Sequence, residues 1–447
     1  MEEFVDRSVE LDVLERAWRE RPVFVVVYGR RRVGKTRLVR EFLRSRRGVY
    51  FFSQLTSYED NLQRLAQAIA EALGAWELGS ARFGSLDKLL SMATRICDDM
   101  VLVLDEFTYW VRVSPRVLSE LQYFVDEVLP KTKAMLIVIG SLYTVMIHDI
   151  LGGSSPLYGR SRYRIHVREL DPSYIREFLP RYTPENRVRI YAILGSIPYY
   201  LRLVDDRKSL KDNIYDLLIA PHAPLRNEKD FMLREEFRDP HTYNAILSAI
   251  ARGYNTPSKI ADLLGLDRGY VAKCLHVLEE IGYVEKELPL FARRARRYKL
   301  RDPILRTWYH LVEPVLPLIE LELYDKAVEY IMEKIDAYTA SVYEELVSRI
   351  IARKYVALGY RLFGKLVRGN EEIDLALINP ETREAIVVEV KWSNLDYIEA
   401  RREINKLSRK AYRLLPDYTI KKTLLVIRRL VRGYKDENIL TVEDLNM

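Results

Sequence analysis

The stretch "VFVVVYGRRRVGKTRLVREFL", residues 23–43, constrains this chain more than any other. It reads as a strand, a glycine-rich turn and an amphipathic helix. Gly29-x4-Gly34-Lys35-Thr36 fits the phosphate-loop pattern in the setting that pattern requires. The glycines let backbone N–H groups turn inward as an anion nest. The helix starting near Lys35 aims its positive end at the same point. Residues Gly29, Arg30, Arg31, Arg32, Val33, Gly34, Lys35, Thr36 and Arg37 are therefore expected to cradle a nucleoside triphosphate. Lys35 should reach its outer phosphates, and Thr36 should hold Mg2+.

A second element completes this expectation. "MVLVLDEF" is a buried strand ending in Asp105 and Glu106. An acid at the carboxyl end of a parallel strand beside the phosphate loop is where a Mg2+ ligand belongs, and Asp105 is expected to be that ligand. Glu106 then orients or activates water. The strand "AMLIVIGS" ends in Ser141, which either senses the outer phosphate or is a plain strand-end serine.

Length and composition bound the rest. A chain of 447 residues suggests two to four domains, and 48% hydrophobic content with regular punctuation is that of a globular protein. The longest apolar runs are strand-sized, far short of the ~20 residues that cross a bilayer. The polar start "MEEFVDRSVE" is no secretory signal, and two distant cysteines, Cys97 and Cys274, suit a reducing cytoplasm. The net charge of +7 is modest for this length, so basic clusters matter only where the elements carrying them can use them.

Four segments resemble the archaeal ATPase family, a branch of P-loop ATPases near the AAA+ and STAND classes. They are "FVDRSVELDVL", "GRRRVGKT", "SPLYGRSRYRIHVREL" and "GSIPYYL". The resemblance implies an ATP site bordered near the base by Arg7 and by Pro198 of a helical lid. It makes Arg160 a candidate arginine finger; the alternative is an ion pair with an acid such as Asp149. The sequence departs from the family at residues 195–198, Gly-Ser-Ile-Pro, where a second glycine is common.

Three amphipathic stretches follow Pro240, with Thr256 and Asp267 as expected N-caps and Gly265 as a helix stop. Two short basic strands come next. This is the winged-helix pattern. Arg268 and Lys273 of the third helix and Arg293, Arg294, Arg296 and Arg297 of the wing are candidate DNA contacts. The other reading of such a module is a rigid protein-contact element.

The end of the chain reads helix, strand, strand, strand, helix, strand, the core order of the PD-(D/E)xK nuclease fold. "EEIDLALI" supplies Asp374, and "AIVVEVKW" supplies Glu389 and Lys391 on one face of a strand. Asp374 and Glu389 form a hard oxygen site for Mg2+, with Glu344 as a further ligand unless Glu345 takes its place. Lys391 positions water or offsets phosphate charge.

The expected architecture is therefore multidomain α/β. A P-loop NTPase parallel sheet spans residues 1–170, a helical lid 171–236 and a winged helix-turn-helix 237–302. A helical linker spans 303–336, and a restriction-endonuclease-like α/β domain spans 337–447. The expected activity is ATP hydrolysis by a cytoplasmic, DNA-associated protein with a metal-dependent nuclease-like domain. The alternative is a nucleotide-dependent switch or assembly scaffold whose last domain only binds a partner.

Overall fold

A computed structural model describes residues 5–292, 297–434 and 436–447. The chain divides into two compact units: residues 1–170 with 197–199, and residues 171–196 with 200–447.

The first unit is built on five strands, β1 (Val23–Tyr28), β2 (Gly48–Phe52), β3 (Val101–Asp105), β4 (Met135–Gly140) and β5 (Tyr163–His166). Their order is β2-β3-β4-β1-β5, and every pairing is parallel. Val25, Val27, Leu38, Val39 and Phe42 fill one side of the sheet. Phe24, Val26, Leu102, Leu104 and Trp110 fill the other. Burial on both faces is what near-continuous apolar runs require. The acid-bearing β3 is not the immediate neighbour of the loop-bearing β1, because β4 lies between them. β4 is buried at every position and so takes the centre, while β2 alternates in burial and forms an edge.

The second unit opens with a run of helices, among them Pro184–Leu194 and Glu228–Glu236, then three more at Pro240–Ala251, Pro257–Leu264 and Arg268–Glu280. The Asp239, Thr256 and Asp267 side chains cap them, and Gly265 ends the middle one in a left-handed conformation. An antiparallel hairpin follows, β6 (Val284–Glu287) and β7 (Arg297–Leu300). The connection leaving β6 is docked. Leu290 donates its N–H to the Lys365 carbonyl at 2.6 Å, and Phe291 stacks on Tyr418.

One helix then runs from Tyr324 to Val356, straight through the domain boundary expected at 336/337. No proline or glycine lies in that span, so nothing stops it. A mixed sheet ends the chain: β8 (Leu362–Arg368), β9 (Glu371–Asn379), β10 (Glu384–Leu395), β11 (Thr419–Leu430) and β12 (Ile439–Thr441). The order is β12-β11-β10-β9-β8, antiparallel between β8, β9 and β10 and parallel beyond. The helix Tyr397–Leu414 covers one face through Leu407, Ala411 and Leu414.

Candidate functional site

In the first unit the loop between β1 and the helix Lys35–Leu43 needs its glycines. Gly29 has φ 148°, and a Cβ there would sit 2.2 Å from the Val167 carbonyl oxygen. Gly34 has φ 97° and caps the helix without a side chain. Lys35 is buried, and its ammonium donates to the Gly29 and Arg30 carbonyls at 2.8 Å each. Both acceptors are neutral oxygens of the loop itself.

Although β4 intervenes, the loop and the acid meet. The Thr36 hydroxyl donates to Asp105 Oδ2 at 2.7 Å. Asp105 is fully buried, and its Oδ1 accepts the Glu106 N–H at 2.8 Å. Glu106 has φ 49°, a left-handed conformation uncommon outside glycine and asparagine, which is often a mark of a functional turn. Its carboxylate accepts the Ser141 hydroxyl at 2.6 Å. Burial pushes the Glu106 carboxyl up from its ordinary value, while the Lys35 ammonium and the Ser141 hydroxyl oppose that rise. A carboxyl moved this way is suited to accept a proton.

The remaining loop arginines are engaged around this centre. Arg30 pairs with Glu169 at 2.9 Å, and Arg31 donates to the Tyr109 hydroxyl at 3.1 Å. Arg32 lies over the Tyr199 ring at 4.4 Å, next to Pro198, which opens a short helix. Arg37 and Val33 lie in the same segment, and the Val33 carbonyl accepts the buried Arg7 guanidinium at 2.9 Å. Arg160 is held by Asp126 at 2.8 Å, not by the Asp149 that the sequence offered.

Two groups at this centre escaped the sequence reading. Tyr50 on β2 donates to Asp105 Oδ2 at 2.6 Å. Tyr28 and His166 stack with ring centroids 4.8 Å apart at the ends of β1 and β5. Neither carries a motif, because an aromatic residue in an apolar strand looks like core.

A second cluster lies on the C-terminal sheet. β9 is bulged: Asp374 and Leu375 together face the single residue Lys365 of β8. Pairing of β9 with β10 ends at Leu375–Val388, and the Val390 N–H donates at 2.8 Å to the Asp374 carboxylate. Glu389 and Lys391 share a face and meet the helix Tyr397–Leu414. Lys410 reaches Glu389 at 3.4 Å, and Glu403 reaches Lys391 at 3.3 Å. Glu344 pairs with Lys365 at 3.2 Å. Glu345 pairs instead with Lys299 at 2.5 Å and with Arg306 at 3.0 Å. Burial, with Glu344 and Glu389 nearby, pushes Asp374 up to about 7. Among the described residues, no three His, Cys, Asp or Glu side chains close on one point as a ready metal cage.

Arg268, Lys273 and Arg297 are exposed, with Arg268 near Asp262 at 3.4 Å. Arg293, Arg294 and Arg296 lie outside the described residues. No helix among the described residues is long and apolar enough to cross a membrane.

The chain matches known proteins along most of its length. Residues 4–204 match a family described as an ATPase domain predominantly from Archaea. Residues 308–403 match a family of archaeal and bacterial proteins of unknown function. An uncharacterized protein of Methanocaldococcus jannaschii is 31% identical over 422 residues, covering 92% of this chain and 91% of the relative. An uncharacterized ATP-binding protein of the same organism is 49% identical over 45 residues, 10% of this chain and 76% of that one. In fold, the chain is similar to a Walker-type ATPase of Pyrococcus abyssi. The TM-score is 0.53 and the identity 22%, over 68% of this chain and 95% of that one. With residues 4–204 matching that ATPase-domain family and a relative matched over nearly its whole length, the chain belongs to the archaeal ATPases.

Proposed function

We propose that residues 29–37 bind ATP with Mg2+ and that Glu106 takes the proton from the attacking water. The observation that carries this reading is the 2.7 Å contact between the Thr36 hydroxyl and Asp105, beside a buried lysine that donates to loop carbonyls. A hydroxyl and a carboxylate meeting from facing elements are the hard oxygen donors that Mg2+ takes, so Thr36 and Asp105 fit it. The cation, when bound, neutralises charge on the phosphates. Lys35 moves from the Gly29 and Arg30 carbonyls to the phosphates. Ser141 moves from Glu106 to the outer phosphate or the water, which frees Glu106 to act as base. Arg7 and Pro198 border the base, and residues 171–236 serve as the lid.

Arg160 supplies further positive charge. Its pair with Asp126 is about one-third exposed and is worth only ~0–1 kcal/mol, so it does not hold the arginine back. The test is ATP turnover by purified variants. Lys35→Ala should abolish turnover. Glu106→Gln should lower it by roughly 100-fold or more while ATP still binds. Unchanged turnover in both variants would end this reading.

A second reading concerns the C-terminal sheet, and the bulge that sets Asp374 beside Glu389 favours it. These two carboxylates would take Mg2+ as a pair, with Glu344 adjoining and Lys391 beside the water. The activity would be cleavage of a phosphodiester in nucleic acid. The three helices and hairpin at residues 237–302 would act as a winged helix, with Arg268, Lys273 and Arg297 on DNA phosphates. The wing arginines Arg293, Arg294 and Arg296 belong to the same proposal. Duplex, single-stranded and branched DNA with Mn2+ or Mg2+ provide the assay. Cleavage by the wild type, lost in Asp374→Ala, is the expected outcome. Intact ATP turnover with no cleavage would make this sheet a partner-binding module and the chain a nucleotide-driven switch or scaffold.

A further inference from the structure

We infer that Tyr50 is a positioning residue for the cation site of the ATPase unit, acting through Asp105. This inference rests on the reading of Thr36 and Asp105 as the cation-holding pair. The Tyr50 phenol donates to Asp105 Oδ2 at 2.6 Å, and the Thr36 hydroxyl donates to the same oxygen at 2.7 Å. The Glu106 N–H holds the other oxygen at 2.8 Å. Three donors therefore fix the plane of one carboxylate.

The two hydroxyl donors come from opposite sides of the chemistry. Thr36 belongs to the phosphate loop and moves with whatever the loop binds. Tyr50 belongs to β2, which pairs with β3 along its whole length, Phe52 against Asp105 included. Tyr50 is thus the donor that keeps Asp105 aimed when Thr36 turns its hydroxyl oxygen to a cation. The Arg40 guanidinium, on the helix Lys35–Leu43, lies 4.5 Å from the Tyr50 ring centroid. Asp105 is buried, and removing the phenol takes away one of the two hydroxyl donors to its Oδ2.

Partners that orient metal-ligating carboxylates typically matter 10–100-fold in metal affinity. Tyr50→Phe removes one oxygen and keeps the ring under Arg40. The experiment measures Mn2+ binding to the full chain with bound ATP, by electron paramagnetic resonance. ATP affinity in EDTA is measured alongside by fluorescence with a labelled analogue. Tyr50→Phe should weaken Mn2+ binding by about 10-fold and raise the Mg2+ concentration for half-maximal turnover by a similar factor. Metal-free ATP affinity should stay within about twofold, because the phosphate loop is untouched, and that arm also reports that the variant is folded. Mn2+ affinity within twofold of wild type would overturn the role of Tyr50 alone. A wild-type chain that binds no Mn2+ with ATP would overturn the cation site itself and this inference with it.

Discussion

A carboxylate set among other carboxylates and half removed from water is more stable protonated. Asp374 is such a residue, raised to about 7 by burial first and then by Glu344 and Glu389. Its carboxyl in the unfolded chain titrates near 4. Between those two values the folded state holds a proton that the unfolded state has lost, so stability falls as pH rises. The contribution is complete below about pH 4 and gone above about pH 7. Asp374→Asn keeps an acceptor for the Val390 N–H and removes the charge. In EDTA it should leave stability near pH 4 unchanged and raise it at pH 8 by roughly 2 kcal/mol. Urea unfolding at the two pH values checks this. The reverse ordering would mean that Asp374 is content as an anion and has no need of a cation.

At the scale of elements, the helix Tyr324–Val356 is tied into its unit at the very position where a boundary was expected. Asp336 accepts Arg189 Nε at 2.8 Å, Trp392 Nε1 at 3.0 Å and Arg428 at 2.8 Å. Burial works to raise this carboxyl, but the hydrogen bonds from Arg189 and Trp392 and the charge of Arg189 outweigh it and hold it down to about 2. A depressed carboxyl stabilises the fold above its unfolded value, and that help is lost as pH falls from about 4 toward 2. Asp336→Asn should therefore cost stability at pH 7, roughly 1 kcal/mol after discounting for solvent screening of a half-exposed group. Wild type and variant should converge near pH 2 in thermal unfolding scans. An equal gap at both pH values would mean that the carboxylate charge is not what ties the helix down.

The whole molecule shows which parts of the fold are legible in a sequence. β1, β3 and β4 announce themselves, because a strand buried on both faces must be apolar throughout. β2, β5 and β12 do not, since short edge strands alternate and resemble loops. The phosphate loop follows from its spacing between an apolar strand and an amphipathic helix, and Asp105 and Glu106 from their place at a strand end, whereas Tyr50 needed the sheet order that brings β2 against β3. The segment 197–199 groups with the first unit while its neighbours on both sides belong to the second, and no local signal in the chain could reveal this. The hairpin was legible as a pair of strands. The docking of Leu290 on β8 was not, because that contact joins residues far apart in sequence.

The bulge in β9 has a bearing on descent. Asp374 and Leu375 span the space of one residue against Lys365. The loss of a single codon there would straighten the strand and let the ladder close. The sheet would survive, and the carboxylate would be swung off its mark or deleted. In a lineage carrying this strand, losing this carboxylate's position and keeping the architecture are one mutational event apart.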